Sequence, residues 1–186
     1  KKTKKTYLEK PEIDTDHANY YMVFGHTPRD KSIYKKILKL KPGHYLEYSI
    51  KNKNIENYKG YNNSKINKKT FEENIKSSVK ERLVGDVEIG CYLSGGLDSS
   101  LIASIASKYQ KIKTFSISFK DHKYDESKYQ KIVSEHIKSE HQIITLGKKD
   151  INDSLEKVVK YIDEPFSDSS ILPSYLLAKK AREKVK

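Results

Sequence analysis

The 186-residue sequence has one cysteine, three arginines and no long apolar run. A lone Cys91 builds neither a disulfide framework nor a zinc cluster. No stretch has the apolar length of a membrane span, and the lysine-rich start lacks the apolar centre of a signal peptide. A cytoplasmic location is the expectation, with no membrane partner. Cys91 itself lies within an apolar run, where a free thiol is a small packing residue.

The scarcity of arginine qualifies the charge. The formal net charge is +12, yet of 37 basic residues only Arg29, Arg82 and Arg182 are arginine. Base edges and phosphates are read in bidentate fashion by the guanidinium fork, and the lysines are scattered. The charge therefore reads as solvated surface with a mild steering effect on anions, and a dedicated nucleic-acid face is not expected. With 35% hydrophobic and 33% charged residues and clear periodic segments, the chain is read as one folded domain plus an arm.

The informative stretch is Glu88 to Ser100, where an apolar run breaks into Ser94-Gly95-Gly96-Leu97-Asp98-Ser99 and resumes as an amphipathic segment. Val87 to Leu93 has the length and bounds of a buried parallel strand, and Leu101, Ile102, Ile105, Ala106 and Tyr109 recur at helical spacing. The loop thus joins a strand's carboxyl end to a helix's amino end, where free amides and the helix dipole favour anions. Gly95 and Gly96 let backbone amides approach a phosphate, and Ser94, Ser99 and Ser100 add hydroxyl donors. Asp98 beside a phosphate implies an intervening hard cation such as Mg²⁺. The alternative is an ordinary strand-to-helix turn in which Asp98 or Ser99 caps the helix. No Gly-Lys-Ser/Thr follows, so the longer Walker pattern is excluded.

Along the chain, residues before Tyr20 read as an irregular arm. A short apolar piece ends at Gly25, and Ile33, Tyr34, Ile37, Leu38 and Leu40 mark a second amphipathic piece. After the Pro42-Gly43 corner, His44 to Ile50 and Ile55 to Tyr61 read as a hairpin. Thr70-x-x-Glu73 is a capping-box pattern that introduces Phe71, Ile75, Val79 and Leu83 on one helical face. Thr114 to Phe119 alternates as a second strand, parallel to the first through a right-handed crossover. A helix opens at Asp125-Glu126-Ser127 with Tyr129, Ile132, Val133, His136 and Ile137 on one face, His136 being a half-buried packing residue. Glu140 to Leu146 is a third strand, in which His141 hydrogen-bonds within the fold. Asp150 caps the next helix, and Ser170 with Pro173 suits the start of the last.

Ser94-Gly95-Gly96-Leu97-Asp98-Ser99 resembles the SGGxDS loop of the PP-loop ATP pyrophosphatase superfamily, whose members cleave ATP between its α- and β-phosphates. Within it, Gly90 to Ala106, Leu40-Lys41-Pro42-Gly43-His44-Tyr45-Leu46, the His141 strand and the Asp163-Glu164-Pro165 to Tyr175 series are similar to glutamine-dependent asparagine synthetases. The resemblance implies an α/β fold: a three-layer parallel sheet of adenine-nucleotide alpha-hydrolase (PP-loop) type, truncated, with a small N-terminal helix and hairpin appendage. Residues 1–62 become the arm and connecting segment, and 63–186 a partial synthetase domain.

The same resemblance implies ATP and Mg²⁺ as cofactors. Ser94, Gly95, Gly96, Leu97, Asp98 and Ser99 would hold the nucleotide's phosphates, with Asp98 on the metal. Backbone groups of Tyr92 and Ile117 would meet the adenine or ribose, and Asp168, Ser169, Ser170 and Tyr175 would border the carboxylate substrate. The implied reaction is that of a carbon–nitrogen ligase: a carboxylate, aspartate by default, becomes an acyl adenylate and is amidated from glutamine or ammonia. A sugar uronate as acceptor, a tRNA-modifying adenylase and a non-catalytic remnant are the alternatives, and a homodimer is compatible with any of them. Resembling proteins carry a further strand and a second Ser/Gly/Asp/Glu loop, and an amino-terminal cysteine nucleophile, none of which is found here. The expectation is therefore a central portion of a larger enzyme, inactive alone, in which no catalytic residue is assigned.

Overall fold

The computed structural model describes residues 11–60, 70–119 and 125–185. They fall into two compact units, one within Lys1–Ile66 and Ile162–Ser169, the other within Asn67–Tyr161 and Ser170–Lys186. No helix among the described residues is long and apolar enough to cross a membrane.

The first unit begins with helix α1 (Thr15–Phe24), which ends at Gly25 with φ +72°. Its start corrects the expectation of an irregular arm before Tyr20. The signal is polar and not periodic: Asp14 Oδ1 accepts from the amides of Asp16 and His17, each at 3.1 Å, so a cap sets the first turn. The His17 amide also holds the Asp14 carboxyl below the usual carboxylate range. The amphipathic piece over Ile33 to Leu40 is not helical. Lys36 sits in the left-handed region at φ +63°, which interrupts a right-handed helix. The segment instead forms isolated antiparallel bridges, Ile13 with Tyr34 and Lys31 with Leu38. Strands β1 (His44–Ser49) and β2 (Asn54–Gly60) make the expected hairpin, with a bulge between Glu47 and Tyr48. Tyr61, the expected last residue of that hairpin, and the 62/63 boundary lie outside the described residues. Residues 162–169 join this unit through Ser167 Oγ, which donates to Gly25 O at 2.9 Å, and through Lys39 Nζ, 3.0 Å from Glu164 Oε2.

The second unit runs α2 (Phe71–Arg82), β3 (Gly90–Tyr92), α3 (Leu97–Ser107), β4 (Lys113–Phe119), α4 (Ser127–His136), β5 (Glu140–Leu146), α5 (Lys148–Val159) and α6 (Ile171–Ala181). The three strands lie in the order β3-β4-β5 and both pairs are parallel. The capping box that starts α2 is present in full: Thr70 Oγ1 accepts from Glu73 N at 3.2 Å and Glu73 Oε2 accepts from Thr70 N at 2.8 Å. Val79, Leu93, Ala103, Ile105, Ala106 and Ile112 form the buried core, flanked by Ile75, Leu83, Cys91, Val133 and Ile137. Full burial of a side chain the size of Leu93 or Ile112 contributes about 1.5–3 kcal/mol. Cys91 packs as expected of a small hydrophobe, and its burial pushes the thiol pKa up. Thr114, Phe115 and Ser116 are all buried in succession, so both faces of β4 are covered.

Three details differ from the sequence reading. Strand β3 pairs over only three residues, because the chain before Gly90 leaves the ladder; Val87 is exposed and Glu88 reaches Lys113 Nζ at 2.7 Å. Helix α4 buries Gln130 and Ser134 and half-buries Val133, with Ile137 half-buried at its end, leaving Tyr129, Ile132 and His136 exposed. The buried face is therefore turned by about one residue, onto polar side chains that bond within the fold. Finally, α5 starts before Asp150, which does not stand at the cap itself: its Oδ2 accepts from the Gly147 amide at 2.8 Å from within the first turn.

Candidate functional site

Strand β3 ends at Tyr92 and α3 begins at Leu97, so four residues, 93–96, turn the chain from the sheet's carboxyl edge into the helix. Leu93 anchors the turn. It is 1% exposed, its amide donates to Phe115 O at 2.8 Å, and its carbonyl accepts from Ser116 Oγ. Gly95 follows at φ +85°, a conformation side chains disfavour, and a Cβ there would lie 2.9 Å from both Gln130 N and Tyr129 Cβ. The turn is therefore pressed against the first turn of α4.

Two hydroxyls brace it from within. Ser99 Oγ lies 2.8 Å from Ser94 Oγ, accepts from Ser94 N at 3.2 Å and reaches Gly96 O at 3.3 Å; Ser94 Oγ accepts from Gly96 N at 3.2 Å. Neither Asp98 nor Ser99 is the cap. That position is Gly96, which offers no side chain, and the first helical bond is Ser100 N to Gly96 O at 3.1 Å. The amides of Leu97, Asp98 and Ser99 are thus the ones a helix leaves without internal acceptors. Leu97 is 83% exposed and Asp98 is exposed beside it. This is the geometry of an anion seat on the solvent side of the turn.

The six loop residues, Tyr92 and Ile117 all belong to the second unit. Tyr92 contributes backbone to β3 and keeps an exposed ring. Ile117 lies in β4 beyond the end of β3, and its carbonyl accepts from Gln130 Nε2 at 2.9 Å. Ser100 departs from the sequence reading of a hydroxyl donor: its Oγ is buried, with no partner among the described residues. Gln130 was not singled out from the sequence, although it stands at i of the spacing completed by Val133, Ser134 and Ile137, where an amide among packing positions is the signal.

Among the described residues no cluster of three His, Cys, Asp or Glu side chains could by itself hold a metal ion. The donor set at the loop is the single carboxylate of Asp98. It fits a cation that takes its other ligands from phosphate and water, not a protein cage.

The four residues expected beside the carboxylate substrate divide between the units. Asp168 and Ser169 are exposed in the first. Ser170 caps α6 in the second, its carbonyl accepting from Ser174 N at 2.9 Å, and half-buried Tyr175 stacks at a tilt 6.0 Å from Tyr161. His141 bonds as expected: Nδ1 is 2.9 Å from Thr114 Oγ1, which also meets Ser139 Oγ at 2.7 Å. Burial lowers the His141 pKa. This polar chain begins β4 and β5, at the opposite edge of the sheet from the loop. A cleft of about 600 Å³ lined by Asp86, Glu88, Lys111, Lys113 and Glu140 also lies at that opposite edge.

The family model described as "Asparagine synthase" matches residues 70–186. A putative asparagine synthetase (glutamine-hydrolyzing) 2 of Methanocaldococcus jannaschii is 34% identical over 186 residues, covering 94% of this chain and 36% of that protein. Asparagine synthetase (glutamine-hydrolyzing) 1 of Bacillus subtilis strain 168 is 28% identical over 184 residues, covering 94% of this chain and 29% of that protein. A probable asparagine synthetase of Schizosaccharomyces pombe is 40% identical over 80 residues, 39% of this chain and 14% of its own. The chain thus spans about a third of the length of the relatives it matches from end to end.

Proposed function

The chain belongs to the asparagine synthase family, and from that premise we propose that it forms the nucleotide-binding part of an ATP-dependent, amide-forming ligase. The observation that carries the reading is the set of uncapped amides at Leu97, Asp98 and Ser99, presented by a turn that Ser94 and Ser99 brace. In the proposed reaction a carboxylate oxygen of the substrate, aspartate by default, attacks the α-phosphorus of ATP, and the bond to the β-phosphate oxygen breaks. Pyrophosphate leaves with the electron pair, and ammonia, supplied as such or from glutamine, displaces AMP from the acyl adenylate. The proposed setting is the cytoplasm, and the proposed fold is the three-layer PP-loop type, in keeping with a β4 covered on both faces.

Negative charge grows on the departing β-phosphate, and the loop amides are fixed donors for that charge which need no reorganisation as the bond breaks. Bound Mg²⁺ would supply Lewis-acid neutralisation of the same oxygens, and Asp98 is the residue that would hold it. Tyr92 and Ile117 offer strand-end backbone to the nucleoside, and Ser170 and Tyr175, in the same unit, are the proposed neighbours of the carboxylate substrate.

Calorimetric titration with ATP tests this reading with and without Mg²⁺. Asp98→Ala weakens binding roughly ten-fold or more when Mg²⁺ is present, the loss of one charge-assisted ligand, and has little effect in its absence. An Asp98→Ala protein that binds Mg²⁺-ATP like the wild type would falsify the metal role.

A further inference from the structure

Gln130 is 2% exposed, and only half of its amide is used. Nε2 donates to the Ile117 carbonyl at 2.9 Å, while Oε1 is buried with no partner among the described residues. A backbone carbonyl only accepts, so the NH₂ side of the amide must be the side that faces Ile117. A buried acceptor without a donor is a liability that an apolar side chain of similar volume would avoid. The same apolar side chain would leave the Ile117 carbonyl without this donor, so the two effects oppose and stability alone does not account for the residue.

Its position supplies another explanation. The Gln130 amide nitrogen and Tyr129 Cβ, each 2.9 Å away, fill the space where Gly95 would carry a Cβ, while the side chain of Gln130 holds the part of β4 that extends beyond β3. A second tie runs alongside, because Asp125 Oδ1 accepts from Ser118 Oγ at 3.0 Å and from Ser127 N at 3.2 Å. The first turn of α4 is thus fixed to β4 and abuts the phosphate turn. In parallel α/β sheets a nucleotide lies across the carboxyl ends of neighbouring strands. The distance between the β3 turn and the β4 end then determines whether phosphates and nucleoside can be held at once.

We propose that Gln130 is a positioning residue which sets the end of β4, at Ile117, against the Gly95 turn, so that the nucleoside half of ATP is held in register with its phosphates. The inference rests on the nucleotide-binding reading above and adds a residue to it. Gln130 touches neither ligand half; it acts through Ile117.

The test compares ATP with inorganic pyrophosphate, which engages the turn alone. Gln130→Met keeps the bulk and removes the amide; Gln130→Leu is the second variant should the first fail to fold. In titrations of the full chain with Mg²⁺, the variant's Kd for ATP rises roughly three- to ten-fold, the worth of one hydrogen bond, while its Kd for pyrophosphate stays within about two-fold. The melting temperature changes little, because loss of the unpartnered Oε1 offsets loss of the donor to the Ile117 carbonyl. Unchanged ATP affinity, or equal weakening of ATP and pyrophosphate, overturns the proposal. A wild-type chain that binds pyrophosphate and ATP with equal affinity overturns it as well. Failure of the wild type to bind either ligand instead overturns the nucleotide-binding reading, and this inference with it.

Discussion

The hydroxyls of Ser94 and Ser99 meet at 2.8 Å across the turn between β3 and α3. Ser99 is the hub, since its oxygen also serves Ser94 N and Gly96 O, whereas Ser94 adds one further bond, from Gly96 N. Ser99→Ala is therefore expected to destabilise the second unit by about 1–2 kcal/mol, and Ser94→Ala by less. Urea denaturation of the two variants checks the order.

Gly95 and Gly96 are adjacent but not equivalent. Gly95 combines φ +85° with backbone of α4 at 2.9 Å from its would-be Cβ. Gly95→Ala should cost on the order of 1–3 kcal/mol through left-handed strain and displacement of α4. At Gly96 φ is −73°, and a Cβ would meet only a side-chain atom, Ser94 Oγ, at 3.3 Å. Gly96→Ala should fall within about 1 kcal/mol of wild type. Equal effects in thermal melts would contradict this reading.

The second unit should lose stability in mild acid through His141. Burial lowers its folded pKa, with Thr114 opposing the shift, so the unfolded chain takes up its proton first. The contribution is complete above the unfolded value, near pH 6.5, and drains away as pH falls through the folded value. Urea midpoints measured from about pH 7.5 to 5 should decline more steeply for wild type than for His141→Gln. Parallel profiles would mean that His141 does not couple folding to pH.

Gly25 ends α1 at φ +72°, and a Cβ there would approach Ser167 Oγ to 2.7 Å. Gly25→Ala should cost about 1 kcal/mol in the first unit and break the Ser167 bond to Gly25 O. Hydrogen exchange supplies the local readout. Amides of residues 162–169 should exchange faster in the variant, while those of β1 and β2 stay as they were.

Much of this architecture was legible because hydrophobic rhythm and turn chemistry agreed. Thr70 and Glu73 announced α2, Gly25 closed α1, and Thr114 to Phe119 alternated as a strand should. What was missed shares a cause. The start of α1 is written in the Asp14 carboxylate, which no apolar period reports, and the amphipathic spacing over Ile33 to Leu40 is overruled by a left-handed Lys36 and pairing with residues near Ile13. At the loop, the glycines and serines were readable as a turn. The reach of Gln130 to Ile117 was not, because tertiary hydrogen bonds between distant residues leave no periodic trace in a sequence.

Gly96 brings no side chain to cap the start of α3. On the proposed nucleotide-binding reading, an anion bound there would do the work that a serine or aspartate side chain does at the head of most helices, and occupancy and the integrity of that first turn would become one equilibrium. The helix in effect reports its own visitor: fraying at Leu97 to Ser99 should subside in proportion to bound phosphate, and amide exchange at those three positions would read the ligand without any label.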